Sequence, residues 1–424
     1  KSTAAADVLV SGVAGLEDAG QTLEAAPFLL VLGRCRWEQG RSGEAHEDID
    51  RARRVLEERG PSAELSLAYF RLAGLYKFDF DPRSLATAMR AMEVARDAGA
   101  DFERVWAASW VGFTLVDEGR AAEGMQLIDE SFAEARRRGY SFIAHNIAYN
   151  DAWTRLHTMR AGIDDRIEAL AAEPGPAVIT DMVAIASSWA LRARGELRAA
   201  LGVIERADAA AGANASTKTR WRTKVELAEV LLELGQLEQA SAALPPPSDR
   251  VELQDIVYDA APQIRLRLAT GRIDEAVALA REIGGHAARL APYPDAIAIA
   301  AEALVAADLL DETQAVLDAA RDHAAEAASP FLDEAQARIL IARGGFAEAQ
   351  VALAGVARQA SERGFRLVEW RARTMAADAA ARGGDVKTAT RTIRTVAEDT
   401  AAAGAALIQQ SVRSVADRVG ITLP

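Results

Sequence analysis

Apolar positions in this chain recur with helical periodicity, interrupted by short polar turns that repeat one pattern. The turns read Gly40-Arg-Ser-Gly-Glu-Ala45, Gly119-Arg-Ala-Ala-Glu-Gly124, Gly195-Glu-Leu-Arg-Ala-Ala200, Gly235-Gln-Leu-Glu-Gln-Ala240, Gly271-Arg-Ile-Asp-Glu-Ala276, Gly344-Gly-Phe-Ala-Glu-Ala349 and Gly384-Asp-Val-Lys-Thr-Ala389. Each ends one helix on a glycine able to take a positive φ. Each then opens a second helix with a polar or acidic first turn, where carboxylates suit the helix dipole. Neighbouring clear copies lie 36 to 40 residues apart, a period that belongs to stacked helix–turn–helix units.

Residue size keeps step with the turns. Seven places before the glycine stand Gly33, Gly112, Ser188, Ala228, Ala337 and Ala377, with Ile264 departing. Five places after it stand Ala45, Gly124, Ala200, Ala240, Ala276, Ala349 and Ala389. Nine places after it come Ile49, Ile128, Ile204, Leu244, Leu353 and Ile393, with Ala280 the exception. Small, small and large at fixed offsets is what two helices need to pack ridge into groove at close range.

The pattern predicts an all-α solenoid of about ten helix–turn–helix repeats with a C-terminal capping helix. The expected pairs are 24–39 with 43–59, 63–78 with 83–98, 101–118 with 121–138, 141–159 with 163–173, and 177–194 with 197–211. They continue as 216–234 with 237–244, 251–270 with 273–289, 293–307 with 310–325, 330–343 with 346–363, and 366–382 with 386–402. A last helix near 405–418 caps the array, and residues 1–22 are expected to be either a helix capping the other end or the second helix of a repeat lost by truncation. In pairs two and four Asp79 and Gly162 are taken to stand in for the turn glycine. Consecutive prolines cannot continue a helix, so Pro174-Gly175-Pro176 ends one. Pro245-Pro246-Pro247 ends another, and 245–250 is a hinge candidate dividing repeats 1–244 from repeats 251–424.

Charge and composition narrow the function. A net charge of −13 over 424 residues disfavours nucleic acid and anionic membrane surfaces as partners. No apolar run is long enough to span a bilayer, and the lone Cys35, inside a helix, suits a core position in a reducing cytoplasm. Lys1-Ser2-Thr3 carries neither an initiator Met nor a signal-peptide pattern, so the chain is expected to be a piece of a longer polypeptide.

The small residue in the first helix, the turn glycine and the alanine five beyond it resemble the tetratricopeptide repeat signature. The longer period and extended helices are more similar to the MalT-like signalling regions of bacterial transcription activators and multidomain cyclase–ATPase proteins. The resemblance covers roughly 24–418. It implies a right-handed superhelix whose first helices line a concave face, other domains on the same polypeptide, and a regulatory or interaction role. This chain itself shows no GxxxxGK[ST] phosphate loop and no basic recognition helix.

In that arrangement, residues about 13, 10, 9, 6 and 3 places before the turn face the groove. They supply Trp37, Tyr69, Tyr76, Trp106, Trp110, Phe113, Tyr149, Trp153 and Trp189. Aromatics are only 6% of the chain, so their concentration in pairs one to five marks a candidate groove for a peptide or small molecule. Asn146 and Asn150 flank the Tyr149 and Trp153 stripe and offer hydrogen bonds. His145 and His157, some 18 Å apart at 1.5 Å per residue, cannot share a metal, and a structural role suits them better. A second, charged groove runs from pair six onward, with Arg222, Glu226, Arg265 and Arg338 among its members. There the charges can read a charged peptide or pair with one another on a solvated face. No HExxH, CxxC or GxSxG motif is present, so a non-catalytic module without metal or cofactor is expected. The alternative is a protein–protein scaffold or oligomerisation arm with no pocket.

Overall fold

The computed structural model describes residues 2–171, 177–210, 216–245, 252–323 and 329–423; among these the chain forms twenty-two helices and no strand. Helix α1 (Ser2–Asp18) packs on the first of ten pairs. Pairs one to three are α2 (Thr22–Glu38) with α3 (Ser42–Arg59), α4 (Ala63–Phe78) with α5 (Arg83–Asp97), and α6 (Asp101–Asp117) with α7 (Ala121–Arg137). Pairs four to six are α8 (Ser141–His157) with α9 (Ile163–Ala171), α10 (Ala177–Ala193) with α11 (Leu197–Ala210), and α12 (Thr217–Glu233) with α13 (Leu237–Ala243). Pairs seven and eight are α14 (Leu253–Ala269) with α15 (Ile273–Gly284) and α16 (Pro294–Ala306) with α17 (Leu310–Arg321). Pairs nine and ten are α18 (Pro330–Ala342) with α19 (Phe346–Glu362) and α20 (Arg366–Arg382) with α21 (Val386–Ala403). The last pair is covered by α22 (Ala406–Val419), which caps the solenoid.

The size code explains the pairing. A Cβ on Gly112 would lie 2.8 Å from the Gly124 carbonyl oxygen, and one on Gly124 would lie 2.5 Å from the Gly112 carbonyl oxygen. In pairs six, nine and ten the same two places hold alanine, and Ala228, Ala240, Ala337, Ala349, Ala377 and Ala389 are all buried. The large residue nine beyond the turn, such as Ile128 or Ile393, fills the space beside them. The two helices of a pair play different parts. First helices such as α6 and α12 are buried nearly all round, whereas second helices such as α7 bury one stripe, Ala121, Gly124, Ile128, Ser131 and Ala135. The first helices therefore form an inner layer and the second helices an outer one.

Two turns differ in register from expectation. The left-handed residue of pair two is Phe80 rather than Asp79, with φ 52°. In pair four it is Met159, φ 50°, three places before Gly162. In this register the close-packing place seven before the turn is Ala73 in pair two and Ala152 in pair four, both small and buried. Pair eight turns on Asp308, φ 60°. Helix α15 ends at Gly284 instead of running to 289. Gly284-Gly285 is a poor helical continuation, and a Cβ on Gly284 would stand 2.9 Å from Val316, so the glycine lets α17 approach. Pro174-Gly175-Pro176 and all of the expected hinge except Pro245 lie outside the described residues. Packing runs past that stretch, since one apolar cluster extends from Tyr149 to Ala379.

The superhelix is wound tightly enough to touch itself. Helix α4 of pair two meets α14 of pair seven, α10 of pair five meets α20 of pair ten, and α12 meets α22. About five pairs thus complete one turn of the superhelix. Inter-turn contacts use the loops between paired helices. The Phe80 ring packs on Tyr293 with centroids 4.9 Å apart, and Arg363 donates a 3.1 Å hydrogen bond to the Met159 carbonyl.

One buried acid in the inner layer makes stability depend on pH. Asp151 on α8 accepts from Arg155 at 2.8 Å and faces Arg166 of α9 at 2.9 Å. Burial pushes its carboxyl from 3.8 up to about 6, against the pull of Arg155. The folded chain therefore holds this proton more tightly than the unfolded chain. That contribution is fully present below about pH 4 and is lost as pH rises through about 6. Asp151→Asn is expected to remove about 2 kcal/mol of pH dependence between pH 4 and 7. Urea unfolding midpoints across that range check this, and a slope identical in both proteins rules the assignment out.

Candidate ligand cavity on the superhelix axis

Because successive turns touch, the inner helices draw the concave face into a partly open cavity. A cavity of about 100 Å³ sits among residues of α8, α10, α12, α14, α16, α18 and α20, with a smaller one of about 20 Å³ adjoining it. Its walls follow the turn register. Six places before the left-handed residue stand Trp153, Trp189, Glu229 and Arg265, and thirteen places before it stand Arg222, Tyr258, Asp295, Phe331 and Arg371. Seven residues are nearly two helical turns, so both sets occupy one stripe of each inner helix.

The apolar part of the wall is aromatic. Trp153 stacks on Tyr258 at 4.0 Å, touches Trp189 at 5.4 Å and lies against His157 at 3.6 Å, all between ring centroids. The Tyr149 hydroxyl meets that of Tyr258 at 3.3 Å. Burial pushes the Tyr258 phenol well above its ordinary value, so it stays protonated.

The charged part is a relay of ion pairs running helix to helix. Arg192 donates to both oxygens of Glu226 at 3.1 and 3.0 Å, and Ser188 donates to the same carboxylate at 2.8 Å. Arg265 donates to Glu229 at 2.8 Å and Glu233 at 3.4 Å, and Arg338 bonds Glu334 at 2.9 Å and lies 3.4 Å from Glu302. These carboxylates are not a solvated face, because Glu226, Glu229, Glu233 and Glu334 are buried. Burial pushes the Glu226 carboxyl up, with Arg192 opposing it.

Arg222 departs from this pairing. Its one hydrogen bond goes to the Tyr149 hydroxyl at 3.4 Å, and its guanidinium carbon lies 5.2 Å from the Tyr258 ring centroid. Burial opposes its charge, yet Tyr149, Tyr258 and Asp255 hold its pKa above the ordinary arginine value, so it stays ionised. Six buried polar atoms on the cavity wall have no hydrogen-bond partner: Trp153 Nε1, His157 Nε2, Arg222 Nε, Glu233 Oε2, Asp295 Oδ1 and Arg371 Nε. Native proteins rarely leave so many together without an occupant.

The residues selected from sequence separate into two groups. Tyr149, Trp153 and Trp189 come together with Arg222, Glu226 and Arg265, so members of the aromatic and charged sets converge across the axis; Arg338 joins through Glu302 of the adjoining cavity. The others lie away from it. Trp106, Trp110 and Phe113 belong to a separate core with Phe70. Trp106 donates to Asn146 at 3.1 Å, and Asn150 donates to the Asn146 carbonyl at 2.8 Å, so both amides are engaged within the fold. Tyr69 donates to Glu57, and the Tyr76 hydroxyl meets His46 at 3.3 Å. Trp37 donates a 2.7 Å bond to Glu252 of pair seven and stacks on Phe78 at 5.1 Å. Cys35 is half-buried, and burial pushes its thiol up. Arg192, Glu233, Asp295, Phe331 and His157 were not selected, although Asp295 and Phe331 stand thirteen before Asp308 and Gly344 and Arg192 three before Gly195. Applying the offset to every pair, whatever the residue type, finds those three.

No protein-family model matches the chain, and no curated protein matches it. Among solved structures, the crystal structure of APC/C hetero-tetramer Cut9-Hcn1 aligns at 12% identity and a TM-score of 0.44, covering 96% of this chain and 85% of that one. The crystal structure of Ton1535 from Thermococcus onnurineus NA1 aligns at 14% identity and a TM-score of 0.24, covering 97% and 99%. Likeness at these values carries no argument about function. Among the described residues, no helix is long and apolar enough to cross a membrane.

Proposed function

We propose that the chain is a non-catalytic regulatory and interaction module of a larger bacterial signalling protein, working in the cytoplasm and binding a small molecule or peptide group on its inner face. The repeat signature supports the tetratricopeptide-like, MalT-like part of this reading. The ligand part rests on one observation, the convergence of six unpartnered buried polar atoms on an aromatic-walled cavity. An occupant there touches helices from both superhelical turns, so it favours one winding over others and passes that preference to neighbouring domains. A hinge at 245–250 belongs to the same proposal.

Tryptophan emission tests it, because Trp153 and Trp189 face the cavity. A saturable change on adding fractionated metabolites or peptides is expected, and Trp153→Phe, folded by circular dichroism, should remove most of it. Emission that no fraction alters counts against the ligand reading. It leaves a second one, a protein-contact arm. That reading draws on the exposed apolar Val8 and Val10 of α1 and Phe28 and Val31 of α2, a surface suited to another protein.

A further inference from the structure

We infer that the axial cavity takes a small anion, a carboxylate- or phosphate-bearing metabolite whose charged group sits against Arg222 and Arg371; this rests on the ligand reading above. The inference follows from what remains after the wall's charges are paired. Arg192 is paired with Glu226 and Arg265 with Glu229 and Glu233, while Asp295 meets His157, so four arginines face four carboxylates on the wall. Two of the guanidiniums make no hydrogen bond to a carboxylate. Arg222 makes no ion pair within 4 Å among the described residues, with Asp255 and Glu38 acting on it from further off, and Arg371 lies 3.9 Å from Glu233, beyond hydrogen-bond range, with Glu302 also acting on it. Both stand thirteen places before their turn glycines, on inner helices four pairs apart, and both line the same cavity. Each has a buried Nε with no acceptor, and Trp153 Nε1 is a third such donor.

An anion answers three idle donors at once, two of them on guanidiniums that no carboxylate hydrogen-bonds. Charged hydrogen bonds from planar guanidinium groups suit carboxylate and phosphate oxygens. Glu233 Oε2 and Asp295 Oδ1 lack donors on the same wall, so the molecule also carries a hydroxyl or amine. Size suggests the group the cavity itself takes. About 100 Å³ exceeds the space of one water and suits roughly six non-hydrogen atoms. Lactate and inorganic phosphate are probes of that size with different head groups.

The experiment titrates the whole chain with lactate, inorganic phosphate, ethylammonium and ethylene glycol, reading tryptophan emission and the thermal midpoint. Lactate or phosphate is expected to saturate both signals, and whichever binds tighter identifies the head group. Arg222→Gln or Arg371→Gln should weaken that binding by roughly thirtyfold or more. Anion affinity unchanged in both variants overturns the inference. So does tighter binding of ethylammonium or ethylene glycol, which leaves the ligand reading intact but reverses the class. Silence from all four probes, meaning water alone fills the site, also overturns it. The metabolite and peptide fractions then decide separately whether the broader ligand reading survives.

Discussion

Replacing Glu252 with alanine is expected to destabilise the chain by about 3–5 kcal/mol and to loosen the contact between superhelical turns. Glu252 is 1% exposed and gathers three donors: Trp37 Nε1 at 2.7 Å, the Ser42 hydroxyl and the Lys218 ammonium. Trp37 and Ser42 belong to pair one, Lys218 to pair six, and Glu252 begins pair seven. Lys218 is itself buried, 4.4 Å above the Trp37 ring, with Asp255 at 3.4 Å as its other carboxylate. Alanine leaves the ammonium with half its compensation and the indole N–H with no acceptor, which is the costly way to break a buried pair. Urea unfolding gives the energy, and small-angle scattering reports whether the superhelix lengthens. The double substitution Glu252→Met with Lys218→Met supplies the control. It removes both charges and should recover most of the loss; if it is as unstable as Glu252→Ala alone, the pair is not what holds the turns together.

That contact also marks the limit of what the sequence could disclose. Trp37 and Glu252 are 215 residues apart, and no local pattern links them. Helix existence and pairing were legible because the size code and turn glycines act within one pair, over distances the chain itself controls. Two turn registers were not, because residue type was allowed to choose the turn. Asp79 is a more comfortable turn residue than Phe80, yet Phe80 takes the left-handed conformation, and in pair four Met159 takes it ahead of Gly162, itself at φ 86°. Such strain costs roughly 1–2 kcal/mol for a residue with a side chain. It is offset where the loop meets the next superhelical turn: Phe80 against Tyr293, and the Met159 carbonyl under Arg363. The site was half legible for the same reason. Offsets from the turn identify which face of each inner helix points to the axis. Which faces then meet depends on the winding, about five pairs per turn, and that quantity is set by contacts between distant repeats. Hence Trp153 and Arg222, read as parts of two separate grooves, line one cavity.

The winding itself can be tested at two glycines that share a backbone conformation and differ in surroundings. Gly195 and Gly271 both end first helices, with φ 77° and 73°. An added Cβ at Gly271 meets nothing within 4 Å, whereas at Gly195 it would lie 2.5 Å from Cη2 and 2.7 Å from Cζ3 of Trp370, five pairs further on. Gly271→Ala is expected to cost about 1–2 kcal/mol, the price of a left-handed backbone with a side chain. Gly195→Ala carries that cost plus about 1–3 kcal/mol of overpacking, since the Trp370 ring is buried and has little room to retreat. Trimming the ring should return the second part only. In a double-mutant cycle, Trp370→Leu should therefore be less damaging in the Gly195→Ala background than in the parent, while in the Gly271→Ala background it should simply add. Equal losses for the two alanines, with no coupling between Gly195 and Trp370, mean that the turns of the superhelix do not meet there in solution. The axial cavity, which needs the same winding, would then have to widen into a groove.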